Sequence, residues 1–221
     1  MPDTGFPHFQ SDTDTVIPVS VVRGIPPGQY RAALHLFWNA FSRKLRFTLG
    51  TEKKTLRFLE RCIDPKQTVC AIDSAGQLAG FAAIKSSHCA FINPTLSTFF
   101  NEYGIPAGFV RALIMNQLDY KPAVNELMIE SICVNECYRG MGIGQTLLSH
   151  IKYLAVQQDK NLTLDVIAEN NGARRLYERT GFYEIGRKKL FFSAPLFGFR
   201  HVIRMQFSPH SPDSGSMMRQ F

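Results

Sequence analysis

The sequence has no uninterrupted apolar run of about 18 residues, so it contains no helix suited to crossing a bilayer. The first fifteen residues, MPDTGFPHFQSDTDT, lack Lys and Arg but hold Asp3, Asp12 and Asp14. That is the reverse of the basic start of a secretory signal, and a soluble, cytoplasmic protein with no membrane partner is expected. Charged residues make up only 19% and hydrophobic ones 45%, an ordinary globular mixture that excludes a disordered, collagen-like or coiled-coil chain. No internal repeat and no Gly/Ser-rich linker interrupts the sequence. Cysteine is sparse: Cys62, Cys70, Cys89, Cys133 and Cys137 are odd in number and irregularly spaced, so reduced thiols rather than a disulfide scaffold are expected. Cys133 and Cys137 have no second Cys pair or HxxxH to complete a zinc set, so no metal is expected and both read as small buried hydrophobes.

A length of 221 residues implies one large domain. The formal charge is +7, and about +10 without the acidic first fifteen residues. Such a balance favours anionic ligands. Lys and Arg are scattered rather than massed in a block, so a phosphorylated cofactor accounts for the charge as well as a nucleic acid does, and nucleic acid is the weaker reading. Residues 1–15 and the Ser/Pro/Gly-rich tail 208–221 read as loose ends around one folding unit, 16–207.

Within that unit, Thr15 to Val22 is strand-like. A helix begins near Gln29, with Leu34, Phe37, Trp38 and Phe41 on one face. Glu52 to Cys62 is a second helix with Leu56, Leu59 and Ile63 inward, ended by Pro65. Thr68 to Asp73 and Leu78 to Lys85 form a hairpin about Ser74-Ala75-Gly76-Gln77. From Ser86 to Asn125 no strand is evident; a helix over Ala107 to Gln117 and a role as lid or docking segment are expected there. Its aromatics, Phe91, Phe99, Phe100, Tyr103, Phe109 and Tyr120, line a substrate site or pack internally. Glu126 to Val134 is a strand, Gly142 to Gln157 an amphipathic helix, Leu162 to Ile167 a strand, and Asn171 to Thr180 a helix capped by Gly181. Phe182 to Phe192 and His201 to Phe207 complete a strand pair, and the apolar segment 190–199 is a hairpin or a homodimer contact. The fold class is α/β (α+β), a sheet covered by helices.

The segment Cys137-Tyr138-Arg139-Gly140-Met141-Gly142-Ile143-Gly144-Gln145-Thr146 joins a strand to an amphipathic helix. Glycines there let a ligand approach the backbone, and the free amides at a helix start favour phosphate. A Walker loop fails, because Gln145 stands in the Lys position and Arg139 in the first Gly position. A dinucleotide fingerprint fails too, since Gln145 or Leu147 stands where its third glycine belongs. A glycine-rich turn without a ligand is the remaining alternative.

Arg139-Gly140-Met141-Gly142-Ile143-Gly144 resembles the pyrophosphate loop [RQ]xxGx[GA] of the GNAT superfamily of acyl-CoA-dependent N-acyltransferases. Asn170-Asn171-Gly172-Ala173-Arg174-Arg175-Leu176-Tyr177-Glu178-Arg179-Thr180-Gly181-Phe182 is similar to that family's second hallmark, N..A..LYE..GF. The resemblance is close over residues 126–186; outside them only the element order agrees. It implies a mixed central sheet of six to seven strands, flanked by helices and splayed in the middle, with acetyl-CoA in the gap. It also implies that the backbone of Ile132, Cys133 and Val134 bonds the acetyl carbonyl and pantetheine, that the amides of Arg139, Gly140, Met141, Gly142, Ile143 and Gly144 hold the pyrophosphate, and that Asn170 and Ala173 lie beside the pantetheine arm.

Tyr177 matches the family's general acid, its rival reading being a packed tyrosine. Glu130 matches the position of the general base, with a salt bridge or a substrate-binding carboxylate as rivals. Glu126 binds substrate or is merely solvated, His88 and Tyr120 flank the insertion, and Arg174 and Arg175 meet a ribose phosphate or water. No His is placed to activate Cys133, so direct transfer to a primary amine in a ternary complex is expected. The opposing reading is a non-catalytic acyl-CoA-binding module on the same scaffold.

Overall fold

The computed structural model of the chain describes residues 18–189 and 201–209, with the side chains of 117–118 excepted. Segments 1–17, 190–200 and 210–221, and with them the expectations for both termini and for 190–199, lie outside the described residues.

Seven strands form one sheet: β1 (Val19–Arg23), β2 (Thr68–Asp73), β3 (Leu78–Lys85), β4 (Glu126–Val134), β5 (Asn161–Ile167), β6 (Tyr183–Lys189) and β7 (His201–Phe207). Their spatial order is β1-β2-β3-β4-β5-β7-β6. All neighbours are antiparallel except β4 and β5, which are parallel. A parallel pair needs a crossover, and the amphipathic helix α5 (Ile143–Gln157) supplies it.

Side-chain alternation divides the apolar residues between two cores. On β2, Val69 and Ala71 join Leu147, Leu148 and Ile151 of α5, while Cys70 faces the opposite core. That second core is built on α1 (Tyr30–Leu49) and α2 (Glu52–Cys62). Phe58 of α2 and Phe81 of β3 are fully buried in it, each contributing about 1.5–3 kcal/mol by leaving water. The inward face of α2 is Thr55, Phe58, Leu59 and Cys62; Leu56, expected inward, is half-buried, and Ile63 lies past the helix end, bridged to Ile92.

Residues 86–125 hold two helices rather than one, α3 (Leu96–Tyr103) and α4 (Ile105–Leu118). Thr95 caps α3, accepting from the Thr98 amide at 3.2 Å while its own amide donates to Thr98 Oγ1 at 3.4 Å. Gly104, at φ 74°, turns the chain into α4, and Pro106 starts that helix without losing a hydrogen bond. At Gly108 an added Cβ would lie 2.9 Å from the Phe99 backbone, so glycine sets the close approach of α3 and α4.

Cys62, Cys70 and Cys133 are buried, but Cys137 is exposed, contrary to the reading of both members of that pair as core residues; all five thiols are free. Among the described residues no cluster suits a metal ion and no helix is long and apolar enough to cross a membrane.

Candidate active site

β4 and β5 pair only from Glu126↔Asn161 to Ile129↔Leu164. Beyond that point β4 continues to Val134 and β5 to Ile167 with no ladder between them, so the sheet opens at its centre. On its other side β4 stays bonded to β3, with Phe81 opposite Cys133 and Ala83 opposite Ser131; Ile84 then lies opposite Ile129. Glu130 is the extra residue of this bulge, a device that re-aims a side chain.

The register also fixes the main chain. The Asn135 amide donates to the Ala79 carbonyl at 2.9 Å, and an added Cβ on Gly80 would meet the Cys133 carbonyl at 2.7 Å. Cys133 therefore turns its main-chain groups to β3, and alternation turns those of Ile132 and Val134 into the gap. Of the three residues expected to bond the cosubstrate, Ile132 and Val134 turn main-chain groups into the gap and Cys133 does not. Burial drives the pKa of the Cys133 thiol upward, which removes it as a nucleophile.

At the far end of the gap, Gly140 (φ 79°) and Gly142 (φ 75°) adopt the left-handed backbone that the loop before α5 requires. The Met141 amide donates to the Tyr138 carbonyl at 3.4 Å, and the Arg139 amide to Glu136 at 3.2 Å. Among the described residues, the amides of Gly140, Gly142, Ile143, Gly144 and Gln145 donate to no backbone carbonyl. The Arg139 side chain points to solvent and pairs with Glu136 at 3.2 Å. Tyr138 fastens the loop to the β2–β3 turn by donating to Asp73 at 2.6 Å, a bond that holds the Asp73 carboxyl below its usual range. Ile143 is buried beneath β3, and an added Cβ on Gly144 would lie 3.5 Å from Leu176 and 3.9 Å from Val134. At Gly144 the helix start, the end of β4 and α6 (Asn171–Arg179) meet.

Asn170 caps α6 by accepting the Ala173 amide at 3.1 Å, so its side-chain NH2 is left for another partner. Tyr177, one turn after Ala173, packs its ring on Phe182 at 5.9 Å. Its hydroxyl makes no hydrogen bond among the described residues, and burial pushes its pKa up to about 12. The phenol is therefore protonated at neutral pH. Arg174 pairs with Glu178, and Arg175 is exposed.

On the α1 side of β4, an open cavity of about 630 Å³ is lined by α1, the end of β3, the 86–94 loop, α3 and α4. Phe91, Phe99 and Phe109 are on its wall, as is His88. Glu130 opens into this cavity, accepting the Phe91 amide at 2.9 Å, with Lys85 Nζ 3.8 Å away. Burial raises the Glu130 pKa; the Phe91 amide and Lys85 oppose that shift without cancelling it. Lys85 itself also bonds Asp119. Glu126, by contrast, is neither solvated nor open to a ligand: it is buried and accepts from Tyr120, Ala123 and Thr163.

A profile of the Acetyltransferase (GNAT) family matches residues 31–182, most of the chain. The chain belongs to the GNAT acetyltransferase family. The GNAT fold is reproduced in solved structures similar to it. A GCN5-related N-acetyltransferase from Kribbella flavida has 18% identity and TM-score 0.54 over 86% of this chain and 97% of that one. An N-acetyltransferase from Staphylococcus aureus Mu50 has 17% identity and TM-score 0.55 over 85% and 100%. A comparison with curated proteins found no match. The GNAT match ends before β6 and β7, which are nonetheless bonded into the same sheet.

Lys44, Lys85, Asp119 and Ser131 are cavity residues that sequence reasoning missed. Lys85 carried a signal, a lone charge closing the apolar run LAGFAAIK. The others carried none, because their wall is assembled from distant segments.

Proposed function

We propose that the chain transfers the acetyl group of acetyl-CoA to a primary amine, directly and within a ternary complex. One observation carries the reading: the unpaired end of β4 runs from the free amides at the start of α5 to Glu130 in an open cavity. Buried main-chain groups are almost always paired, and those of Ile132 and Val134 face the gap with no β5 partner. A pantetheine arm, with its own amide groups, fits them as an added strand. The amides of 140–144, at the positive end of α5, suit a pyrophosphate.

Bound acetyl-CoA supplies an acyl thioester. Glu130, with its raised pKa, takes the proton that the attacking amine must lose. The Ile132 and Val134 amides are fixed donors for the oxygen that gains charge. Tyr177 holds a proton for the departing sulfur, and Asn170 keeps its NH2 for the arm. The segment 86–125 closes the acceptor side and so selects the amine.

The test begins with melting temperatures in acetyl-CoA, CoA, ATP and NAD. A ligand at 100 times its Kd adds about 2.7 kcal/mol, so acetyl-CoA and CoA alone should raise the midpoint. Thiol release with an amine panel then separates an enzyme from a binding module. Binding without release by any amine would leave the non-catalytic reading standing.

A further inference from the structure

Lys44 lies on α1 just past its break at Phe41 (φ −124°), and its side chain is part of the cavity wall that also holds Glu130. It makes no ion pair within 4.0 Å among the described residues. The carboxylates that act on it electrostatically are Glu130 and Asp165. Both are already engaged: Glu130 by the Phe91 amide and Lys85, Asp165 by a two-pronged bond from Arg204 at 2.8 and 2.8 Å. Solvent reaches Lys44 through the mouth of the cavity, yet protein surrounds the ammonium closely enough that desolvation lowers its pKa. An ammonium on the cavity wall that has no carboxylate of its own is available to an anion that enters.

Resting on the reading of this cavity as the acceptor site, we propose that the acceptor is an amine that also carries an anionic group, a carboxylate or its like, and that Lys44 binds that group. Glu130 and Lys44 line one cavity, so a molecule with both groups can meet both. Glu130 takes the amine, and the unpaired ammonium of Lys44 takes the anion. Phe41, Phe91 and Phe109 add apolar lining to the same cavity. Lys44, Lys85 and Lys121 outnumber Asp119 and Glu130 on the wall, a balance that disfavours a polycation. Its volume, about 630 Å³, suits a small molecule.

The experiment uses matched acceptors, each an amino acid and its methyl ester, with the full chain, Lys44→Gln and Lys44→Arg. A charge-assisted contact implies an acid-over-ester preference in kcat/KM of about 10- to 100-fold. Lys44→Gln should bring that ratio close to one, mainly through KM, and Lys44→Arg should restore most of it. Retained far-ultraviolet circular dichroism and a retained melting shift with acetyl-CoA show that each variant is folded. Equal use of acids and esters by the wild type, or a ratio untouched by Lys44→Gln, overturns the inference and leaves the acetyltransferase reading intact. So does finding, by mass spectrometry, that Lys44 itself becomes acetylated. No melting shift with acetyl-CoA and no thiol release with any amine removes the acetyltransferase reading, and this inference with it.

Discussion

The β2–β3–β4 side of the sheet is covered on both faces, whereas the β5–β7–β6 side buries apolar residues on one face alone. On β3 all eight residues are buried, and Phe81 and Ala82 point into different cores. On β7 only Ile203, Met205 and Phe207 are buried, while Arg204 reaches across to Asp165. The edge strand β6 is exposed along nearly its whole length. Between these halves the β4–β5 ladder stops at Ile129 and Leu164. The rigid side thus supplies a fixed backbone rail, and the seam supplies the opening. Stability and function occupy adjacent positions on a single strand.

The largest expected effects set catalysis against packing. Tyr177→Phe should lower kcat by about 100- to 10,000-fold while the melting temperature stays near that of the wild type, if the hydroxyl is the acid and the ring the packing element. Phe58→Ala, on the doubly covered side, should cost about 3–5 kcal/mol by denaturant unfolding. Ile185→Ala on β6, 46% exposed, should cost less than about 0.5 kcal/mol. Comparable losses at the two sites would erase the contrast between the halves.

Gly80→Ala comes next, at about 1–3 kcal/mol, because its Cβ would press on the Cys133 carbonyl and force β3 and β4 apart. The change should also raise the KM for acetyl-CoA, since it disturbs the rail. For Glu130 the pH dependence sharpens the argument. Its folded-state pKa is raised, so the folded protein holds more protons than the unfolded chain between the two values. The ion thus detracts from stability as pH rises through that window, while activity rises with it. Glu130→Gln should abolish the acidic limb of the rate profile and leave the melting temperature at neutral pH equal or higher. Asp73→Ala, which unties Tyr138 from the β2–β3 turn, should show the smallest effect, a higher KM for acetyl-CoA with little change in kcat.

The covered half was the more legible from sequence. Strands buried on both faces read as continuous apolar runs, and β2, β3 and β4 begin and end where those runs do. The loop 139–144 was legible because a tight turn into a helix needs left-handed backbone, which Gly140 and Gly142 supply. The β1 strand runs Val19–Arg23, later than the expected Thr15 to Val22, and part of that expectation lies outside the described residues. Helix α3 escaped notice because it has eight residues and a Thr-Thr capping pair in place of the usual Glu or Gln partner. The bulge at Glu130 is a property of the β3–β4 register, which neither strand encodes alone. Lys44 was hidden for a related reason. Lys44 lies at the edge of the α1 stripe, three residues after Phe41 and seven after Phe37, but the wall it shares is contributed by residues far along the chain.

Amide hydrogen exchange, followed residue by residue with and without CoA, tests the central claim most directly. The account predicts new protection at Ile132, Val134, Gly140, Gly142, Ile143, Gly144 and Gln145, with little change at Cys133, whose main chain is already bonded to β3. Protection spread elsewhere, or none at Ile132 and Val134 under saturating CoA, would contradict a cosubstrate laid as an added strand along the open edge of β4.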